Sequence, residues 1–214
     1  MSVRRAVERH RAGLGASVAV YRSRPGAGTY LAALVLWLLM VAGVLINPDP
    51  ELVHNVVPLV VWGSILAGIL AMLGGEVLIV CERGLLVGST APLLRPRPVP
   101  YDRIVPGTVV PVLRPWRLTA TTGLFWPRPT TRTAWWNRSA VSFVQAMPWP
   151  LWWFVGTGRA DPGQVSAEIA AAARRAGFTD LAEATVAAPR RTLTGRREDA
   201  ALLLPGFPGA PGTG

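Results

Sequence analysis

The chain contains no lysine; every one of its basic residues is arginine. It has a single cysteine, Cys81, which excludes an intrachain disulfide and any cysteine-cluster metal site. Only two histidines occur, His10 and His54, and neither neighbours the cysteine in sequence. No Gly-rich phosphate loop follows a strand-like run, and no paired-cysteine spacing exists. Asp102 and Glu82 are isolated carboxylates that read as turn residues rather than as an acid–base pair. These absences leave catalytic, metal and cofactor-binding residues unassigned, and the chain reads as a non-enzyme. A membrane-bound enzyme with a site dispersed in sequence stays as an alternative.

Charge is scarce as well as one-sided. Charged residues make up 16% of the chain, against about 25% in ordinary soluble domains. The formal net charge is nevertheless +10, which implies an acidic partner such as anionic lipid, nucleic acid or an acidic protein. Between Tyr30 and Gly75 there is no Arg, and the two carboxylates there, Asp49 and Glu51, sit in a short break, Asn47-Pro48-Asp49-Pro50-Glu51.

What fills that uncharged stretch is two apolar runs. The first, Tyr30 to Ile46, includes ten Leu, Val or Ile residues. At 17 residues it would reach about 25 Å, slightly short of a ~30 Å hydrocarbon core. The second, Val56 to Leu73, places Pro58 in its first turn, and Gly63, Ala67 and Ala71 recur every four residues, with Ala42 and Gly43 as expected counterparts in the first run. Neither run keeps the polar stripe of a soluble amphipathic helix. Residues 30–75 therefore read as a two-helix transmembrane hairpin. Arg4, Arg5, Arg9, Arg11, Arg22 and Arg24 precede it and Arg83, Arg95, Arg97 and Arg103 follow it, so the positive-inside rule places both termini in the cytoplasm, in a plasma (inner) membrane crossed twice.

Residues 1–29 form a basic juxtamembrane segment. Val3, Val7, His10, Leu14 and Val18 follow a three-four spacing that would suit an interfacial helix, but Gly13 and Gly15 favour a disordered leader whose role is topology. After the hairpin the period changes. Val77 to Cys81 is a β-rich run, Glu82-Arg83-Gly84 a turn, and Leu85-Leu86-Val87 the return. Val99 to Ile104 reads as an edge strand or turn because of its prolines, and Val109–Leu113, Ala140–Gln145 and Leu151–Thr157 are further strands. A helix follows, with Asp161 as N-cap, Pro162 at its first position, Arg174 and Arg175 in its last turn and Gly177 as its stop. Residues 179–214 read as a largely disordered tail rich in Pro and Gly toward its end.

Cys81-Glu82-Arg83-Gly84-Leu85, with Gly88 after it, resembles the first hairpin of bacterial PH-like domains, and Pro98 to Ile104 is similar to the stretch that follows that hairpin in the same family. The resemblance covers residues 76–178. It implies an α+β fold: a transmembrane helical hairpin followed by a PH-like β-barrel or sandwich with a C-terminal amphipathic helix. It also implies a binding or scaffold role rather than catalysis. The lysine signature of phosphoinositide-binding PH domains is absent. Arg95 and Arg97, in the loop after the hairpin, are the candidate contacts for a lipid phosphate, weighed against a plain solvated loop.

Seven tryptophans, Trp116, Trp126, Trp135, Trp136, Trp149, Trp152 and Trp153, crowd together with Arg114, Arg117, Arg128, Arg132 and Arg138. Core packing, contact with the membrane interface, and stacking on single-stranded nucleic acid all fit. Pro and Thr interrupt these arginines, which argues against a nucleic-acid groove. The expected partners are thus the lipid bilayer, anionic headgroups or another membrane protein.

Overall fold

The computed structural model describes residues 2–24, 26–46, 51–90, 95–115, 117, 138–146 and 151–194. It opens with helix α1, Val3–Leu14, and strand β1, Ser17–Arg22. Two long helices follow, α2 at Ala27–Ile46 and α3 at Leu52–Gly74. Then come β2 (Glu76–Cys81), β3 (Gly84–Ser89), β4 (Arg97–Pro100) and a 3-10 turn at Tyr101–Arg103. Strands β5 (Val110–Leu113), β6 (Ser139–Gln145) and β7 (Leu151–Gly156) precede helices α4 (Pro162–Arg175) and α5 (Thr179–Ala187) and a short β8, Arg191–Thr192. The fold is α+β: among the described residues, two four-stranded sheets, ordered β1-β2-β3-β4 and β7-β6-β5-β8. All pairings are antiparallel except β5 with β8.

α2 and α3 are long and apolar enough to cross a membrane, with mean hydropathy 2.4 over Ala27–Ile46 and 1.8 over Val53–Ala71. Most of their described side chains are exposed. Leu31, Leu39, Leu45, Val53 and Val60 are each more than half exposed, and among the described side chains of the two helices only Ala33 is buried. A surface of that kind is stable in hydrocarbon, not in water. Three expectations are corrected here. α2 begins at Ala27, so its 20 residues reach about 30 Å and match a bilayer core without help. α3 begins at Leu52, so Pro58 lies inside the helix rather than in its first turn, and the His54 carbonyl lacks the usual helical N–H from that position. Gly63 is apposed to Trp37, not to Ala42 or Gly43: a Cβ there would meet Trp37 Nε1 at 3.0 Å, whereas nothing lies within 4 Å of one at Gly43. The break at residues 47–50 lies outside the described residues.

The segment preceding the hairpin is folded, as α1 and β1, rather than a disordered leader. β1 is the edge strand of the first sheet, with Val20 opposite Ile79, Tyr21 opposite Leu78 and Arg22 opposite Val77. The Ser23 amide extends the ladder to the Glu76 carbonyl at 3.1 Å. The two apolar helices are therefore an insertion between two hydrogen-bonded neighbouring strands. α1 packs on one face of this sheet, with Leu14, Val77, Ile79, Cys81 and Leu86 forming a cluster that Val3 and Val7 join. Burial on both faces explains why β2 reads as an unbroken apolar run.

The opposite face carries the main core. Leu78, Val80, Leu85 and Val87 meet Phe143, Trp153 and Val155 of the second sheet and Val165 and Ile169 of α4. Alternation on β7 sends Trp153 and Val155 into this core and Trp152 and Phe154 to a smaller cluster with Val112 and Leu193. The α4 punctuation matches its sequence signals. Asp161 Oδ2 accepts from the Gly163 and Gln164 amides at 3.0 and 3.2 Å. At the other end Phe178 N–H reaches the Ala173 carbonyl and Gly177 N–H the Arg174 carbonyl, a Schellman stop in which Gly177 has φ +88°. Phe178 then packs edge-on against Tyr101, with ring centroids 5.9 Å apart. Beyond it the expected tail is still partly folded: α5 buries Leu181 and Ala182, and Leu193 is 2% exposed.

Candidate functional site at the base of the helical hairpin

Strand register decides which residues share an end of the first sheet. Arg22 faces Val77, Val77 faces Gly88, and Arg97 faces Val87. Arg22, Glu76, Ser89 and Arg97 thus lie at the end from which α2 and α3 depart. α1 runs antiparallel to that direction: its Leu14 carbonyl accepts from the Arg83 amide at the far end, while Ser2 and Val3 reach the hairpin base. Its first-turn residues Arg4 and Arg5 are brought to the base with them. Arg4, Arg5, Arg22, Arg24, Arg95 and Arg97 are all exposed. The carboxylates Glu82 and Asp102 belong to the opposite end, where Glu82 Oε2 accepts from the Ala16 amide at 3.1 Å and fixes the entry of β1.

A polar cavity of about 290 Å³ opens at this base, lined by Ser2, Val3, Arg22, Arg24, Gly74, Gly75, Glu76, Val77 and Thr90. Thr90 is used internally, since its amide and its hydroxyl both donate to the Gly75 carbonyl, at 2.7 and 3.0 Å. Ser2 Oγ caps α1 by accepting from the Arg5 amide at 3.3 Å. Glu76 is 5% exposed. Above the cavity lies an apolar groove of about 560 Å³ between α2 and α3, bounded by Tyr30, Trp37, Leu59, Gly63 and Leu70 among others. The two spaces adjoin through Gly74, where a Cβ would come within 3.4 Å of the Tyr30 hydroxyl.

The base is held to the rest of the fold at two points. Tyr21 donates from its hydroxyl to Glu168 of α4, and burial, then that bond, then the carboxylate's charge all push the phenol's pKa up. The loop after β7 closes over the end of β1: a Cβ at Gly158, which has φ +65°, would lie 2.2 Å from the Arg22 carbonyl oxygen. Strand β2 ends in Cys81, a fully buried free thiol pushed up to about 11 by burial and by the neighbouring Glu82. The Tyr101 hydroxyl donates to the Cys81 carbonyl at 3.0 Å.

Of the residues singled out in sequence, Arg95 and Arg97 are exposed at this base. Arg22 and Arg24, read there only as topology determinants, line the cavity itself. The signal that could have found them is the strand character of Ser17–Arg22, whose partner lies more than fifty residues on. Trp152 and Trp153 are interior, with their indole N–H groups donating to Ser142 Oγ and Gln145 Oε1. For these two, core packing is the reading that holds. Trp116, Trp126, Trp135, Trp136, Trp149, Arg128 and Arg132 lie outside the described residues. Among the described residues no three metal-ligating side chains cluster. No family model, curated protein or solved structure matches this chain.

Proposed function

We infer that this chain is an integral protein of a bacterial inner membrane, with both termini cytoplasmic. Its PH-like domain acts as a non-catalytic scaffold, or protein-interaction module, at the membrane surface. The observation that carries the reading is the insertion of the helical hairpin between β1 and β2. Two covalent tethers leave adjacent positions on one sheet end, so the domain cannot swing freely as a module on a single linker does. Such a mounting suits a part that presents one defined surface to other membrane components. The two sheets, antiparallel but for the short β8, followed by a capping helix support the PH-like assignment. Exposed Val18 and Val20 on edge strand β1 supply an apolar strip for a partner.

Reporter fusions at each terminus and at Asp49 test the placement. Cytoplasmic signal at both ends and external signal at Asp49 is the expected result; a cytoplasmic signal at Asp49 overturns it. A second reading, a membrane-tethered binder of anionic lipid, is favoured by the exposed arginines gathered at the hairpin base.

A further inference from the structure

We propose that the hairpin base is a binding site for one anionic phospholipid, with the headgroup phosphodiester between Arg22 and Arg24 and an acyl chain in the groove between α2 and α3. This rests on the membrane placement above and deepens its second reading.

In a bilayer an apolar groove open to the hydrocarbon is filled by lipid. Along α3 the groove runs from Leu59 to Leu70, about 16 Å at 1.5 Å per residue. That is the depth of one leaflet, about half of a ~30 Å core. It starts at the base, where Tyr30 and Leu70 lie, and ends near mid-membrane, so it takes chains from the leaflet on the domain side.

The cavity stands where the headgroup of such a lipid must sit. Tyr30 lines the groove, Gly74 lines the cavity, and the two are in near contact. Arg22 and Arg24 supply two guanidiniums suited to bidentate phosphate bonds. Glu76, 5% exposed, is among the residues that line the same space. Ser2, whose oxygen accepts from the Arg5 amide, keeps its hydroxyl proton for donation. A choline headgroup would add a bulky cation beside two arginines, whereas a glycerol headgroup adds only hydroxyls. The remaining exposed arginines, Arg4, Arg5, Arg95 and Arg97, extend the same preference around the rim.

The test is native mass spectrometry of the full-length chain in mild detergent, titrated with phosphatidylglycerol or phosphatidylcholine. The wild type should take one phosphatidylglycerol at least tenfold more tightly than phosphatidylcholine. The double variant R22Q/R24Q should lose at least tenfold in phosphatidylglycerol affinity, and R22K/R24K should recover part of it. Arg83→Gln, at an exposed arginine in the β2–β3 turn at the opposite end of the sheet, should change nothing. Equal binding of the two lipids, or unchanged binding by R22Q/R24Q with its melting temperature preserved, overturns the site. That failure, with the fusions still reporting cytoplasmic termini, would remove the lipid and leave the anchored scaffold intact.

Discussion

Gly158→Ala probes the seam between the strand that leads into the hairpin and the loop that closes over it. Two costs combine at this position. The backbone has φ +65°, which a residue with a Cβ adopts at about 1 to 2 kcal/mol. The new methyl would also lie 2.2 Å from the Arg22 carbonyl oxygen, a backbone atom that can move only if the end of β1 moves. Forced overpacking of this sort costs about 1 to 3 kcal/mol more. Gly177→Ala is the matching control, because φ is +88° there and nothing lies within 4 Å of the added atom. It carries the backbone cost alone. For a chain of this size each kcal/mol moves the melting temperature by about 2 to 4 °C. Gly158→Ala should therefore melt about 2 to 12 °C below Gly177→Ala, followed by the fluorescence of buried Trp152 and Trp153 in detergent. Equal melting temperatures would refute the seating of β1 under that loop.

A fragment starting at Glu76 lacks α1 and β1 and so uncovers Val77, Ile79, Cys81 and Leu86; it should bind a hydrophobic dye and lose its cooperative melt, whereas a soluble, sharply melting fragment would contradict the fold. Cys81 should resist alkylation at pH 8 until the chain is denatured. Its folded pKa of about 11 lies above the ordinary 9.0, so its contribution to stability is complete below pH 9 and disappears as pH rises from 9 to 11. Denaturant titrations should show that slope between pH 9 and 10 in the wild type and a flatter one in Cys81→Ala. The phenols of Tyr21 and Tyr101 are raised in the same sense and act only above pH 10. Glu168→Gln removes the charge facing Tyr21 and should bring that phenol's ionisation part of the way back toward its ordinary range, with burial holding the rest, as read by ultraviolet titration against a Tyr21→Phe reference.

The sequence signals were strongest where structure is local. The apolar runs, the Glu82–Arg83 turn and the Asp161 cap with its Gly177 stop all depend on neighbours a few residues apart, and the elements fall within a few residues of where those signals put them. β1 escaped because Ser17–Arg22 is short and pairs across the whole inserted hairpin, so its partner cannot be inferred from its own pattern. The stripe of Val3, Val7 and Leu14 was readable, but a sheet and a membrane surface attract the same stripe. α5 was hidden behind Gly177, a genuine stop for α4 that is followed at once by another helix. The hairpin-base arginines come from three separated segments, and only strand register assembles them.

The two apolar helices interrupt one sheet between β1 and β2. In a cysteine-free background made with Cys81→Ala, the pair Val20→Cys and Ile79→Cys occupies directly opposed positions, whose Cα separation of about 4.5 to 5.5 Å suits a disulfide. The pair Val20→Cys and Leu78→Cys puts the second thiol on the other face of the sheet. On mild oxidation of the full-length chain, the first pair should close quantitatively and the second should stay reduced. Failure of the first pair, or equal closure of both, would separate the residues before the hairpin from the sheet and contradict the account.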